Sequence, residues 1–320
     1  MPIHPLLDGI ELEGRTGLEI GALHHPVVLD QGAKVLYVDH ASTEDLRAKY
    51  ADDPDVGDMV DVDVVWGDQP LRSALDRALG PGELVDFVVA SHVIEHVPDP
   101  VSWLSEIAEV LRPGGVLALA VPDKRFCFDA RRRTSDVADI VEAHLTERSR
   151  PSLAATFDFW TRYDTVDTAA IWSGAPPPPA EPLRDREALE RTRQAMSGPE
   201  YRDVHCWVFT PLSFLEALRR LTDLDLFPDL LLRSFRPTAP GYLEFYAVLE
   251  RPLPSLDGDG GRVALLAAVD TAIAATATAP GPSAEPVPPE VAAFRPSDRE
   301  LRAILLKRRV IEGVRRVLPR

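Results

Sequence analysis

The chain has 320 residues, of which 45% are hydrophobic and 27% charged, a composition typical of folded proteins and unlike disordered or fibrous ones. Its formal net charge of −16 argues against nucleic acid as a main partner, because phosphate recognition needs clustered positive charge. The two cysteines, Cys127 and Cys206, cannot form a disulfide framework, and the N-terminus has no signal-peptide pattern. A cytoplasmic location is therefore expected.

Strand-like and helix-like segments alternate over the first 125 residues. Two helices have clear start signals: a capping-box pattern at Ser42 for a helix to Tyr50, and Asp99-Pro100 for a helix that ends at residues 113–115. The predicted strands are 16–21, Lys34–Asp39, Met59–Trp66, 84–93 and 116–123. This alternation predicts a Rossmann-like, doubly wound and mostly parallel α/β sheet with helices on both faces.

The alternation stops after the fifth strand. Residues 126–202 contain a basic run, the aromatic stretch Phe157–Tyr163 and a proline tract, and we expect an inserted lid on the acceptor side of the site. More often, such an aromatic stretch is the core of the inserted unit. Regular patterning resumes with a helix capped by Thr210 and two strand candidates that could form a hairpin. The predicted sheet domain is therefore 1–125 together with 203–252.

Residues 253–320 are predicted to form an alanine- and proline-rich linker and a helical tail. Their alanine-rich segment, interrupted by Asp270, is expected to be too short to cross a bilayer. Residues 295–320 hold nine basic and three acidic residues in an amphipathic pattern. That pattern suits an anionic membrane surface, an acidic partner, the acidic body of this chain or a second copy of it.

The carboxyl ends of the predicted strands carry groups suited to a nucleoside. In an open parallel sheet, ligands bind at these ends, near the point where the strand order reverses. Gly21 lets the backbone turn tightly after strand one, close to Glu19, and Asp39 at the end of strand two could accept hydrogen bonds from ribose hydroxyls. Trp66 and Asp68 offer an aromatic face and an acceptor for an amino-purine, although Trp66 could equally be a core residue.

Five strings of this sequence carry a resemblance to a known family. GLEIGA, YVDH, WGDQPL, FVVASHVIEHVPDP and LRPGGVLALAVPD occur in this order over residues 15–125, which resemble the class I S-adenosylmethionine-dependent methyltransferases. HCWVFTPLSFLEALRRL resembles the late helix of that family and its approach. More narrowly, LEIGALHHP and DVHCWVFTP are similar to methyltransferases encoded near glycan or glycosyltransferase genes.

The resemblance implies S-adenosyl-L-methionine as cofactor, with contacts at strand ends from Glu19, Gly21, Ala22, Asp39, His40, Asp68, Ser91 and His92. The chain departs from the family in its first loop, where Leu23 and His25 stand at positions that usually hold glycine. The short connection from Gly21 to Lys34, which contains Pro26, leaves little room for a first helix.

Histidine is the usual base near neutral pH, and methylation of a hydroxyl requires the removal of one proton. The candidate bases are His24, His25, His92, His96 and His205, of which His92 and His205 are expected to face the acceptor as catalytic residues. A hydrogen-bonded structural role is the alternative for each. Glu95 and His96 are expected to fix a loop. The histidines and acidic residues do not have the close spacing of metal ligands, so no metal site is predicted.

The function that fits these residues is transfer of a methyl group from S-adenosylmethionine, most simply to a hydroxyl oxygen of a sugar, another small molecule or a glycan. One alternative is a catalytically degenerate binding or scaffold protein with the same fold. A second is another transferase that uses the same cofactor. Dinucleotide oxidoreduction is disfavoured because the chain lacks GxGxxG.

Overall fold

A computed structural model describes residues 4–29, 32–51, 59–164, 166–174, 183–198, 201–256 and 259–278. Seven strands form one sheet in the order β3-β2-β1-β4-β5-β7-β6. The strands are β1 Thr16–Ile20, β2 Lys34–Asp39, β3 Val64–Val65, β4 Val85–Ser91, β5 Leu111–Pro122, β6 Leu231–Arg236 and β7 Glu244–Glu250. The first five strands are parallel, and β7 runs antiparallel to both β5 and β6. This mostly parallel sheet confirms the predicted Rossmann-like α/β class.

The helices are α1 Thr43–Lys49, α2 Leu71–Leu79, α3 Pro100–Val110, α4 Val137–Leu145, α5 Leu153–Arg162, α6 Thr168–Trp172, α7 Asp185–Ser197, α8 Pro211–Asp223 and α9 Asp259–Thr278. The predicted caps are confirmed at three of them. Ser42 accepts a hydrogen bond from the Asp45 amide, Asp99 from two amides of α3, and Thr210 from the Ser213 amide. These side chains satisfy amides that have no partner within the helix.

The third strand is shorter than predicted, because residues 59–63 make isolated hydrogen bonds instead of a continuous ladder with β2. The Asp63 amide donates to the Tyr37 carbonyl of β2 at 2.9 Å, and the Val60 amide donates to the Leu23 carbonyl at 2.9 Å. The Asp63 carboxylate accepts from the Tyr37 amide at 2.8 Å, and the Val62 amide donates to the Thr43 hydroxyl at 2.7 Å. Only Val64 and Val65 pair with β2.

The two faces of the sheet are covered differently. On one face, the largest hydrophobic cluster joins the strands to α2, α3, α4, α8 and α9. On the other face, Phe87 and Tyr246 pack against Leu6 and Leu7 of the N-terminal segment and against Val27 and Val28. The hydrophobic cluster on this second face is therefore closed by a short 3-10 turn and a loop. The β1–β2 connection contains no helix within its described residues, as its length predicted.

Helices α4 to α7 lie between β5 and the return of the chain to the sheet. Phe159 and Trp160 of the aromatic stretch are buried together with Ala188 and Val204, so the stretch is core rather than exposed surface. The basic run is used in ion pairs: Arg131 with Asp164, Arg132 with Asp129 and Asp158, and Arg133 with Asp139. Most of the proline tract lies outside the described residues.

Helix α9 extends the sheet domain. It spans 20 residues, and Leu265 and Val269 are buried in the main core beside α8 and β6. Its length and a mean hydropathy of 1.3 over Asp259–Ala277 satisfy the criterion for a membrane-crossing helix, so the expectation that it is too short was wrong. Only 17% of this stretch is buried, so most of α9 lies outside the core. The basic segment 295–320 lies outside the described residues.

Candidate active site

The strand order reverses between β1 and β4, and the chain turns sharply at the ends of both. Gly21 follows β1 with φ of +67°, and a Cβ there would lie 3.2 Å from the Val93 side chain. His92 follows β4 with φ of +56°, a backbone conformation that residues other than glycine rarely adopt. Strained residues of this kind cluster at functional sites, and here both turns lie at the switch point where α/β sheets bind ligands.

Asp39 lies at the carboxyl end of β2, one strand from this point. It is buried, and its Oδ1 accepts a hydrogen bond from the His40 amide at 2.7 Å and lies 2.6 Å from His40 Nδ1. Within the described residues, no hydrogen bond reaches Oδ2, so that oxygen can accept one from a ligand hydroxyl. Asp68 is exposed beyond β3, and Trp66 packs against the core near Trp103.

Glu19 has protein partners for both of its carboxylate oxygens. It is buried and accepts hydrogen bonds from the Val27 amide at 2.5 Å and the Val28 amide at 3.0 Å. Burial raises the pKa of Glu19 to about 7, although the two amides lower it. Glu19 therefore holds the irregular β1–β2 connection in place, and its direct contact with a cofactor stays a prediction.

Four of the histidine and glutamate side chains considered from the sequence meet beside β4. Glu95 is fully buried, and neither of its carboxylate oxygens has a hydrogen-bond partner in the described structure. Its Oε1 lies 3.6 Å from His92 Nδ1, 3.9 Å from His96 Nε2 and 3.9 Å from His205 Nε2. On its other side, His92 Nε2 lies 3.8 Å from Glu244 at the start of β7.

A network of buried ion pairs holds His205 in position. Its Nδ1 lies 2.5 Å from Asp129, whose carboxylate also pairs with Arg132 at 2.8 Å. Burial alone would raise the pKa of Asp129, but the nearby His205 and Arg132 hold it well below its usual range. Asp129 is therefore an anion that fixes the His205 ring, and sequence reasoning missed it because no local motif surrounds it.

The two cysteines are free and buried, as predicted. Burial raises the pKa of both thiols, that of Cys206 to about 12, so neither is a thiolate at neutral pH. Cys206 instead helps to join two segments, because its amide donates to the Glu95 carbonyl at 2.7 Å.

One family model matches part of the chain. Residues 7–160, just under half of the chain, are similar to a family model described as a methyltransferase domain. Gly21 and Asp39 lie within this matched stretch. No curated protein matches the chain.

Solved structures similar to the chain include methyltransferases. A SAM-dependent methyltransferase from Methanosarcina mazei is 17% identical with a TM-score of 0.39, the match covering 79% of this chain and all of that one. The CcbJ methyltransferase from Streptomyces caelestis is 22% identical (TM-score 0.26), with 36% of this chain and 49% of that one covered. A proposed Zn-dependent alcohol dehydrogenase from Rhodobacter sphaeroides is 17% identical (TM-score 0.38), with 78% and 88% covered. Because all three TM-scores lie below 0.5, nothing about the chemistry of this chain follows from them.

Proposed function

We propose that this protein transfers a methyl group from S-adenosylmethionine to a hydroxyl oxygen of a sugar or another small metabolite. The observation that carries the proposal is the arrangement at the switch point of the matched domain. Gly21 turns the chain where a side chain would meet Val93, and Asp39 keeps one oxygen open at the next strand end. Both features fit a nucleoside lying across the carboxyl edge of the sheet.

The chain's own groups account for donor binding. The backbone around Gly21 and Ala22 can approach the methionine end closely, and Asp39 Oδ2 can accept hydrogen bonds from ribose hydroxyls. The proposed contact to the adenine is Asp68, and the proposed contact near the sulfonium is Ser91. His40 is a proposed contact to the ribose. When bound, the donor supplies a methyl group to the acceptor oxygen and leaves as S-adenosylhomocysteine.

His92 is the proposed proton acceptor. Its side chain is 17% exposed, and it lies between the carboxylates of Glu95 and Glu244. Two negative groups beside an imidazole stabilise the imidazolium that forms when it takes the proton from the acceptor hydroxyl. His205, the other candidate base, is deeper, with Nε2 nearest to Glu95 and Nδ1 held by Asp129. Its position suits holding a group in place better than exchanging a proton with an acceptor.

Helices α4 to α7 are the proposed acceptor side. Phe128 and Phe159 from this insertion lie beside the His205 ring, at centroid distances of 4.7 and 6.2 Å. They would exclude water from the reacting groups, which strengthens electrostatic interactions there.

Calorimetry with S-adenosylhomocysteine tests donor binding. Asp39→Asn keeps the size of the side chain and removes its charge, so affinity should fall about 10- to 100-fold, as expected for a hydrogen bond to a charged group. Asp223→Asn, at the exposed end of α8, is the matched control and should bind like the wild type. Equal affinity of Asp39→Asn and the wild type would remove Asp39 from the site.

Transfer of a labelled methyl group to a panel of sugars and hydroxylated metabolites tests the reaction. His92→Asn should lower kcat while donor-product affinity is retained. Donor binding without transfer to any acceptor would favour a scaffold protein. Release of a demethylated donor without a methylated acceptor would favour another use of the cofactor.

A further inference from the structure

The fully buried Glu95 carboxylate has no conventional partner, although three imidazole nitrogens surround it. Their distances from Oε1, 3.6 to 3.9 Å, are too long for hydrogen bonds. His96 Nε2 is likewise buried without a hydrogen-bond partner in the described structure. A carboxylate buried in this way destabilises the folded protein, because no hydrogen bond offsets the free-energy cost of removing it from water.

The donor atoms of Glu95, His96 and His205 all lie within 4.8 Å of one another. A tetrahedral ion with ligands at about 2.1 Å holds its donor atoms about 3.4 Å apart. The carboxylate Oε1 lies 3.9 Å from each of the two Nε2 atoms, about 0.5 Å more than that value, and all three atoms lie within 4.8 Å of one another. These three side chains, termed the Glu95 site below, therefore have the spacing of one coordination shell.

Both histidines of the Glu95 site are oriented by a second carboxylate. His96 Nδ1 lies 2.7 Å from Asp203, and His205 Nδ1 lies 2.5 Å from Asp129. In the neutral tautomer that donates from Nδ1–H to its carboxylate, each imidazole carries its lone pair on Nε2, the nitrogen nearer to Glu95. Carboxylate–histidine pairs of this kind accompany metal-bound histidines, where they fix the ring and raise its basicity.

We propose that Glu95, His96 and His205 bind one divalent transition-metal ion. Two imidazoles and one carboxylate suit Zn²⁺ and the neighbouring first-row ions, whereas Mg²⁺ and Ca²⁺ prefer all-oxygen shells. Three protein ligands leave a coordination position open, the arrangement of catalytic rather than structural sites. The expectation of no metal rested on spacing along the sequence, which did not reveal that the fold brings His205 to Glu95 and His96.

The location of the Glu95 site, next to His92, is suited to a catalytic role for the ion. His92, at the switch point, lies 3.6 Å from the same carboxylate. An ion there could hold the acceptor's oxygen and lower the pKa of its hydroxyl, with His92 taking the proton. This use rests on the proposed methyl transfer, whereas metal binding itself does not.

Metal content and calorimetry test the proposal on the full chain. Chelator-treated protein should take up about one Zn²⁺ per chain, and Co²⁺ should give the visible absorption of a four- or five-coordinate site. Glu95→Gln and His205→Asn should each lower Zn²⁺ affinity at least 100-fold. His144→Asn, a histidine on α4 paired with Asp99 outside the site, is the matched control and should bind like the wild type.

Two further measurements separate a metal site from a structural network. Asp203→Asn keeps all three ligands and should weaken Zn²⁺ binding about 10- to 100-fold through His96 alone. S-adenosylhomocysteine binding, measured on every variant, shows whether it is folded and tests the donor site separately. Wild-type protein that binds S-adenosylhomocysteine but neither Zn²⁺ nor Co²⁺ overturns the metal site alone. Protein that binds Zn²⁺ but not S-adenosylhomocysteine overturns the proposed function alone.

Discussion

Glu19 should make the stability of this protein fall as the pH rises. Its pKa is 4.5 in ordinary surroundings and about 7 in the folded chain, so the folded state holds a proton that the unfolded state has released. This contribution is fully present below pH 4.5 and is lost as the pH rises through 7. At 1.36 kcal/mol per pKa unit, the full loss is about 3 kcal/mol, of which about 2 kcal/mol falls between pH 5.5 and 8.5.

Urea unfolding across pH 5.5 to 8.5 measures this effect, and this range avoids the pI of about 4.9. Glu19→Gln cannot titrate, so the difference in unfolding free energy between wild type and variant should shrink by about 2 kcal/mol from the acid to the alkaline end. Glu11→Gln, at an exposed carboxylate, is the control and should track the wild type. A wild-type-to-Glu19→Gln difference that stays constant within about 0.5 kcal/mol would refute the raised pKa.

Two further substitutions test the backbone turn and the buried ion network. Gly21→Ala should lower the free energy of unfolding by about 1–2 kcal/mol because of the positive φ, and by more because the new Cβ would meet Val93. The affinity for S-adenosylhomocysteine should also fall several-fold. Gly9→Ala, which has a positive φ but open space, should lose only the backbone part in the same urea assay. Arg132→Met should cost about 3–5 kcal/mol, because it removes the buried arginine that pairs with Asp129 and with the half-buried Asp158. Arg133→Met, at the exposed pair with Asp139, should cost no more than about 1 kcal/mol, and equal losses would argue against the network.

Much of the sheet could be predicted because its signals are local. Asp99 and Thr210 mark helix starts by side-chain bonds to amides two or three residues away, and the structure shows those bonds. The absence of a helix from the described residues after β1 was likewise predicted, from the short connection and from Pro26. β3 was predicted too long because the bond from the Tyr37 amide to the Asp63 carboxylate joins residues 26 positions apart. No local pattern signals such a bond.

The site was predicted only in part, for the same reason. The sequence identified His92 and His205 separately, yet gave no indication that both approach Glu95. That meeting depends on the segment around Cys206 bonding to the Glu95 carbonyl, 111 positions away. Glu19 was identified as a site residue from its position at the strand end, but its bonds to Val27 and Val28 depend on an irregular loop whose path has no sequence signature.

The position of β7 has a consequence for synthesis of the chain. β5 is complete at Pro122, yet its outer edge pairs only with β7, which begins at Glu244. At a ribosomal rate of about 5–20 residues per second, the intervening residues take roughly 6–25 s to emerge. During that interval the apolar β5 presents unpaired amides and carbonyls along one side, the kind of edge on which nascent chains aggregate. Protection of this edge by a chaperone until β7 emerges would therefore affect how much newly made protein reaches the native state.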